Sequence, residues 1–276
     1  MPIIHAIVLG LVQGLSEFLP ISSSGHLLLT PWLFGWNDFS DASVEKAFDV
    51  ALHLGTLIAV IAYFRKDLGV YVRDGLRMVV QKKKPRTTEG RLAWLLIVAS
   101  VPAALVGAIV GDWVDEHLGK PVIIAASLIF FGLLLAWADR RRGGKQFEEM
   151  SVRDATLIGL AQVIALNPGT SRSGISISAT RILGFDRDTA VRFSFLLSVP
   201  VTTGAVTVKL IELFKDGIPA GLLIPMIVGI ITAGISGWLA VAGLLKLIRS
   251  KSFDAFVIYR VTAGIAILAI AASSWR

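Results

Sequence analysis

Pro20-Ile21-Ser22-Ser23-Ser24-Gly25-His26 interrupts one apolar run, and Asn167-Pro168-Gly169-Thr170-Ser171-Arg172-Ser173-Gly174 interrupts another. The first segment lies between Pro2–Leu19 and Leu27–Trp36, and the second between Val152–Leu166 and Ile175–Leu183. Each reads as a short helix, a polar turn and a second short helix. Non-helical backbone at membrane depth survives only where protein or a water-filled cavity surrounds it. Two re-entrant hairpins are therefore expected, with their turns facing a shared cavity.

The rest of the chain supplies the membrane. Of its 276 residues 54% are hydrophobic and only 17% charged, with mean hydropathy +0.72; a soluble domain carries about 25% charged residues. A spanning helix needs about 20 mainly apolar residues. Six stretches meet that length, namely Glu45–Phe64, Arg91–Gly111, Pro121–Ala138, Ala190–Leu213, Gly221–Leu247 and Phe253–Trp275. With no cysteine in the chain, disulfides, thiolate metal sites and cysteine nucleophiles are excluded.

The net charge of +7, from 27 Lys and Arg against 20 Asp and Glu, sits in a few places. Arg65, Lys66, Arg73, Arg77, Lys82, Lys83, Lys84 and Arg86 follow the first full span. Arg140, Arg141, Arg142, Lys145 and Arg153 follow the third, and Lys246, Arg249 and Lys251 the fifth. The positive-inside rule makes these loops cytoplasmic. Asp112–Lys120 and Lys215–Pro219 then lie outside, and residues 1 to 45, with no Lys or Arg, put the N-terminus outside as well. That stretch also lacks the basic region of a signal peptide. Both termini are expected outside a plasma (inner) membrane. No basic, aromatic-interleaved face remains for nucleic acid. Asp67–Val80 is amphipathic and is expected on the inner membrane surface. Trp32, Trp36, Trp113 and Trp275 read as interfacial anchors.

The chain also repeats itself. At an offset of 149 (162 minus 13), Val8-Leu9-Gly10-Leu11-Val12-Gln13 lies over Leu157-Ile158-Gly159-Leu160-Ala161-Gln162. In the same register Ser22-Ser23-Ser24-Gly25 lies over Ser171-Arg172-Ser173-Gly174, and Gly55 over Gly204. The fold expected is an all-α polytopic membrane domain over 1–276, built of two repeats, about 1–145 and 150–276. Each repeat holds one hairpin and three spans, an odd number, so the second enters from the opposite side. Inverted repeats place broken-helix ends together near the midplane.

The chemistry of such a site follows from its residues. A helix starting at a Ser/Gly turn offers free N–H groups and its positive dipole end to an anion. Arg172, costly in an apolar hairpin, matches phosphate with its planar fork and also pairs naturally with Glu17. Gln13 and Glu17, four apart, share a helical face; Glu17 suits a general base or a ligand to a divalent cation. Ser23 beside a base becomes a nucleophile, and Glu17 and His26 both remain open as that base. His53 and Asp49 share a face of the first span, with Asp49 either lining the cavity or packing between helices. Arg181, Arg187 and Arg192 read as interfacial; Glu212 and Arg260 read as span-end residues without a role. Two functions fit: a hydrolase of a phosphate-bearing substrate, favoured by Ser23 and His26 beside Glu17, and a transporter or flippase of an anion, which the resemblance that follows would make a polyprenyl phosphate.

Gln13-Gly14-Leu15-Ser16-Glu17-Phe18-Leu19-Pro20-Ile21-Ser22-Ser23-Ser24-Gly25-His26 resembles the signature of the bacterial undecaprenyl pyrophosphate phosphatases, in which Glu or Gln precedes a Glu by four positions and a Ser-Gly-His segment follows. Pro168-Gly169-Thr170-Ser171-Arg172-Ser173-Gly174-Ile175-Ser176 is similar to their second signature, with Ser176 where Thr is usual. The resemblance runs over nearly the whole chain. It implies hydrolysis of a C55 isoprenyl pyrophosphate to the monophosphate and inorganic phosphate at the outer membrane face. That reaction recycles the carrier lipid of cell-wall synthesis, and excess enzyme confers bacitracin resistance. It also implies a divalent cation, Mg2+ or Ca2+, with Glu17 as its ligand. Glu17, Ser23, His26 and Arg172 take catalytic roles by this resemblance. Gln13, Ser22, Ser24, Gly169, Thr170, Ser171, Ser173, Gly174 and Ser176 are the substrate-binding candidates. The expected partners are the lipid substrate and membrane lipids, and a homodimer stays open.

Overall fold

A computed structural model describes residues 1–39, 42–81, 87–218, 220–248 and 251–273. Lys82, Lys83, Lys84, Arg86, Pro219, Arg249 and Trp275, named above, lie outside the described residues, as do the C-terminus and the side chains of Asp112 and Asp115. Eleven α-helices run through the described chain: α1 Ile3–Phe18, α2 Ser23–Phe34, α3 Ala42–Tyr63, α4 Arg65–Gln81, α5 Thr88–Leu118, α6 Pro121–Asp139, α7 Val152–Val163, α8 Arg172–Ile182, α9 Arg187–Asp216, α10 Leu223–Leu247 and α11 Asp254–Ala272. A 3-10 turn, Ile164–Leu166, continues α7. Among the described residues the β-structure is one isolated bridge between Lys145 and Phe185.

Local chemistry sets the helix ends. Leu19 is extended because Pro20 follows it, and this stops α1. Gly35 adopts the left-handed conformation that closes α2. The Ser151 hydroxyl accepts from Asp154 N and starts α7, and Asp186 does the same for α9 through Thr189 N.

Five helices, α5, α6, α9, α10 and α11, are each long and apolar enough to cross a membrane, and together they make a multi-pass membrane protein. The sixth expected span, Glu45–Phe64, meets that test only together with α4, to which α3 is joined by an 84° bend. The amphipathic α4 covers the expected Asp67–Val80 and leaves Val72, Leu76, Val79 and Val80 exposed. One expectation is corrected. Asp112–Lys120 is not a loop, since α5 continues to Leu118; its apolar positions Leu105 and Ile109 stay exposed near this end.

The two short helix pairs fold alike. α1 packs along α10 and α7 along α5, while α2 and α8 each turn back on the helix before them. Both long contacts need a missing side chain at the repeated position. A Cβ on Gly10 would stand 2.8 Å from Gly229 O, and one on Gly159 would meet the Ala99 carbonyl and stand 3.0 Å from its Cα. Close approach of small residues is how membrane helices gain contact without a hydrophobic driving force. At the other matched pair, a Cβ on Gly55 would strike Ile230 O, whereas Gly204 has open space. Gly159→Ala should therefore destabilise the protein by about 1–3 kcal/mol, the cost of overpacking. Gly204→Ala should leave the thermal midpoint in detergent unchanged or raised; equal midpoints for the two variants would refute the packing.

Candidate active site

The polar cavity is lined by Glu17, Ser22, Ser23, Ser24, His53, Ala103, Gln162, Ala165, Leu166, Ser171, Arg172 and Val201. Its volume is about 180 Å³, enough for several waters or a small anionic group. Glu17 comes from the last turn of α1, Ser23 opens α2, and Arg172 opens α8.

Two serines bend the chain into it. Ser22 (φ 77°) and Ser171 (φ 75°), 149 residues apart (171 minus 22), are the two non-glycine residues with positive φ among the described residues. Such conformations cost roughly 1–3 kcal/mol each and persist where surroundings hold them. Here the surroundings are visible. The Ser171 hydroxyl accepts from Gly174 N at 3.0 Å and caps α8. The Ser22 hydroxyl crosses over to accept from Gly169 N at 3.1 Å, and Ser173 donates to Leu19 O at 3.1 Å. The turns thus tie to each other, and the first residue of each following helix reaches the cavity.

Those first residues meet on one carboxylate. Ser23 Oγ donates to Glu17 Oε2 at 2.6 Å, Gln13 Nε2 donates to the same oxygen at 3.1 Å, and Arg172 Nη2 donates to Oε1. His53 Nε2 stands 3.6 Å from Oε2 while its Nδ1 bonds Asp49 O at 2.8 Å. His53, rather than Asp49, lines the cavity. Arg172 spends one of its five N–H donors on Glu17, so the others are available to an oxyanion.

The remaining candidates lie around the cavity rather than on it. Gln13 is fully buried behind Glu17. Thr170 is buried and hydrogen-bonded from Asn167, and Ser176 bonds the Arg172 carbonyl. Gly169, with φ 91°, gives the tight turn, and Gly174 packs on Ser171. His26 departs most from expectation. Its Nδ1 contacts Ser22 O and its Nε2 contacts Tyr259 Oη, each at 2.7 Å, and it is not among the cavity residues. Ser23 is in contact with the Glu17 carboxylate, not with the His26 ring.

Arg260, read above as a span-end residue, is instead fully buried at the junction of both turns. Nε donates to Leu128 O (3.1 Å), Nη1 to Pro20 O (2.9 Å), and Nη2 to Gly169 O (2.9 Å) and Thr170 O (3.0 Å). Arg181 is likewise buried rather than interfacial. It donates to the carbonyls of Phe185, Asp139 and Arg141, while Arg187 holds the Asp139 carboxylate with two hydrogen bonds.

A polar pocket that presents a guanidinium and a hydrogen-bonded serine–carboxylate pair, set among membrane-length apolar helices, defines a multi-pass membrane protein built to engage an anionic group. The sequence profile described as Bacitracin resistance protein BacA matches residues 6–266, and the chain belongs to that family. Among its relatives, the undecaprenyl-diphosphatase of Geobacter sulfurreducens is 48% identical over 272 residues, 98% of each chain. That of Geobacter metallireducens is 46% identical over 267 residues, 96% of this chain and 97% of the relative. That of Moorella thermoacetica is 44% identical over 271 residues, 98% of each.

Proposed function

We propose that this chain is an undecaprenyl-diphosphatase: it hydrolyses undecaprenyl pyrophosphate to undecaprenyl phosphate and inorganic phosphate. The observation that carries this reading is the Ser23–Glu17 hydrogen bond of 2.6 Å in the cavity that holds Arg172. An anion carrier would use Arg172 and the helix ends, but would have no use for a hydroxyl poised on a carboxylate.

In the reaction, Arg172 and the first-turn N–H groups of α2 and α8 receive the pyrophosphate oxygens. Ser23 Oγ attacks the terminal phosphorus and Glu17 takes its proton. The bond from that phosphorus to the bridging oxygen breaks, and the prenyl monophosphate leaves. Water then cleaves the phosphoserine, releasing inorganic phosphate, with Glu17 moving the protons. Positioning and preorganised charge carry most of the barrier reduction in phosphoryl transfer. His53 supports the Glu17 carboxylate, and His26 fixes the start of α2 through Ser22 O and Tyr259.

A divalent cation, Mg2+ or Ca2+, fits these residues only in company with substrate. The described residues hold no cluster of three or more His, Cys, Asp or Glu, but one carboxylate plus phosphate oxygens is a ligand set that Mg2+ accepts. Glu17 would hold it, and the buried Gln13 Oε1, without a hydrogen-bond partner among the described residues, is an oxygen such a cation would take. When bound, it would neutralise charge on the pyrophosphate.

The architecture we infer is two inverted repeats, each a re-entrant hairpin plus three spans, with both termini and the cavity mouth on the outer side of the plasma membrane. Supporting it are the matched turn serines, the matched α1–α10 and α7–α5 contacts, and the matched Gly10 and Gly159. Homodimerisation belongs to the same proposal.

Purified protein in detergent should release phosphate from undecaprenyl pyrophosphate, and Ser23→Ala should abolish the phosphoserine trapped by acid quench and most of the turnover. Transport of a prenyl phosphate in proteoliposomes without phosphate release would overturn the hydrolase reading. Near-normal turnover by Ser23→Ala would remove the covalent step.

A further inference from the structure

Gln162 lies near the end of α7, is only 2% exposed, and lines the cavity with Glu17, Ser23 and Arg172. Neither its Oε1 nor its Nε2 has a hydrogen-bond partner among the described residues. A buried amide left unpaired costs stability, and such groups in native proteins call for an explanation.

The repeat supplies one. Gln162 is the counterpart of Gln13, which donates its Nε2 to Glu17 four residues on. Four residues after Gln162 the chain has Leu166, which offers nothing to bond. The same pseudo-symmetry puts Arg172 opposite Ser23. One half thus uses its glutamine to orient the carboxylate, while the other keeps its glutamine unpaired in the wall of the cavity that Arg172 also lines.

We propose that Gln162 is a substrate-binding residue that grips the pyrophosphate group. Its Nε2 donates to a non-bridging phosphoryl oxygen, and its Oε1 accepts from a water sharing the cavity. This inference rests on the hydrolase reading above. The contact exists in the bound ground state and in the transition state alike, so its loss raises KM more than it lowers kcat.

The test uses the full-length protein in detergent with undecaprenyl pyrophosphate, and inorganic pyrophosphate as competing ligand. For Gln162→Leu the KM and the inhibition constant for inorganic pyrophosphate should rise by about 10- to 100-fold, the worth of one hydrogen bond to a charged group. The thermal midpoint should hold or rise, because two unpaired polar atoms are gone. Gln162→Glu, similar in size but anionic, should raise KM further. A wild-type KM in either variant, or a lowered midpoint with unchanged KM, would overturn the proposal and make the amide a packing element. If Gln162→Leu does not fold, the KM of Gln162→Glu decides. Should the wild-type protein release no phosphate at all, the hydrolase reading fails instead. Protection of the wild type from thermal unfolding by inorganic pyrophosphate, lost in Gln162→Leu, would then still sustain the anion contact, and its persistence would refute it.

Discussion

Arg172→Ala is expected to lower kcat for undecaprenyl pyrophosphate hydrolysis by about 10²–10³-fold, the effect of removing one preorganised donor from a site where charge develops. The geometry explains why the loss falls on kcat. In the resting site Arg172 pairs with Glu17, so the guanidinium is already held in place, and it meets the phosphoryl oxygens with little reorganisation. Lysine would keep the charge but not the planar fork, so Arg172→Lys should recover only part of the rate. Removing the arginine also leaves Glu17, 8% exposed, as a buried carboxylate without its cation. Steady-state kinetics together with a thermal melt separate the two consequences. A folded Arg172→Ala protein with normal kcat would make Arg172 a structural ion-pair partner.

The second large effect belongs to Arg260. Its guanidinium holds four backbone carbonyls from α6 and from both turns, and no carboxylate shares it among the described residues. Arg260→Ala leaves those carbonyls facing a void. At roughly 1–3 kcal/mol for each unsatisfied buried group, partly relieved by relaxation, the loss is on the order of 4 kcal/mol, enough to unfold many domains. Arg260→Met keeps the apolar stem and the volume, and should fold better than alanine. It should still turn over slowly, because Pro20 and Gly169 set the two turns that carry Ser23 and Arg172. Thermal unfolding and phosphate release, measured on both variants, check this; wild-type stability and rate in Arg260→Met would show that the turns hold themselves.

What the residue pattern revealed was what hydropathy and spacing encode. The long spans, the two polar turns and the offset of 149 are periodic or compositional features, and Glu17, Ser23 and Arg172 stood out because charge and hydroxyl side chains are rare in apolar hairpins. Arg260 was hidden because its partners are backbone carbonyls, which every residue has and no pattern marks. An arginine near the start of an apolar span therefore looked like a snorkelling one. His53 and Asp49 share a helix face, and only the position of α3 beside α1 decides which of them approaches Glu17. The contacts of His26 were out of reach of the sequence for a related reason. One helical turn brings it near Ser23 in sequence, yet its ring is drawn to Tyr259 on α11, a contact 233 residues away. Gln162 was visible as a repeat marker, but that its amide has no partner among the described residues is a property of the packing around it.

The account depends on the two turns acting as one phosphoryl-transfer centre, and a double-mutant cycle on kcat/KM tests this most directly. Glu17→Gln and Arg172→Ala should each cripple hydrolysis, and the double variant should be scarcely slower than the slower single one, because groups that act as a unit lose their function together. Multiplying effects, with the double variant losing the product of the two single losses, would mean that Glu17 and Arg172 serve separate steps or separate sites, and would contradict it.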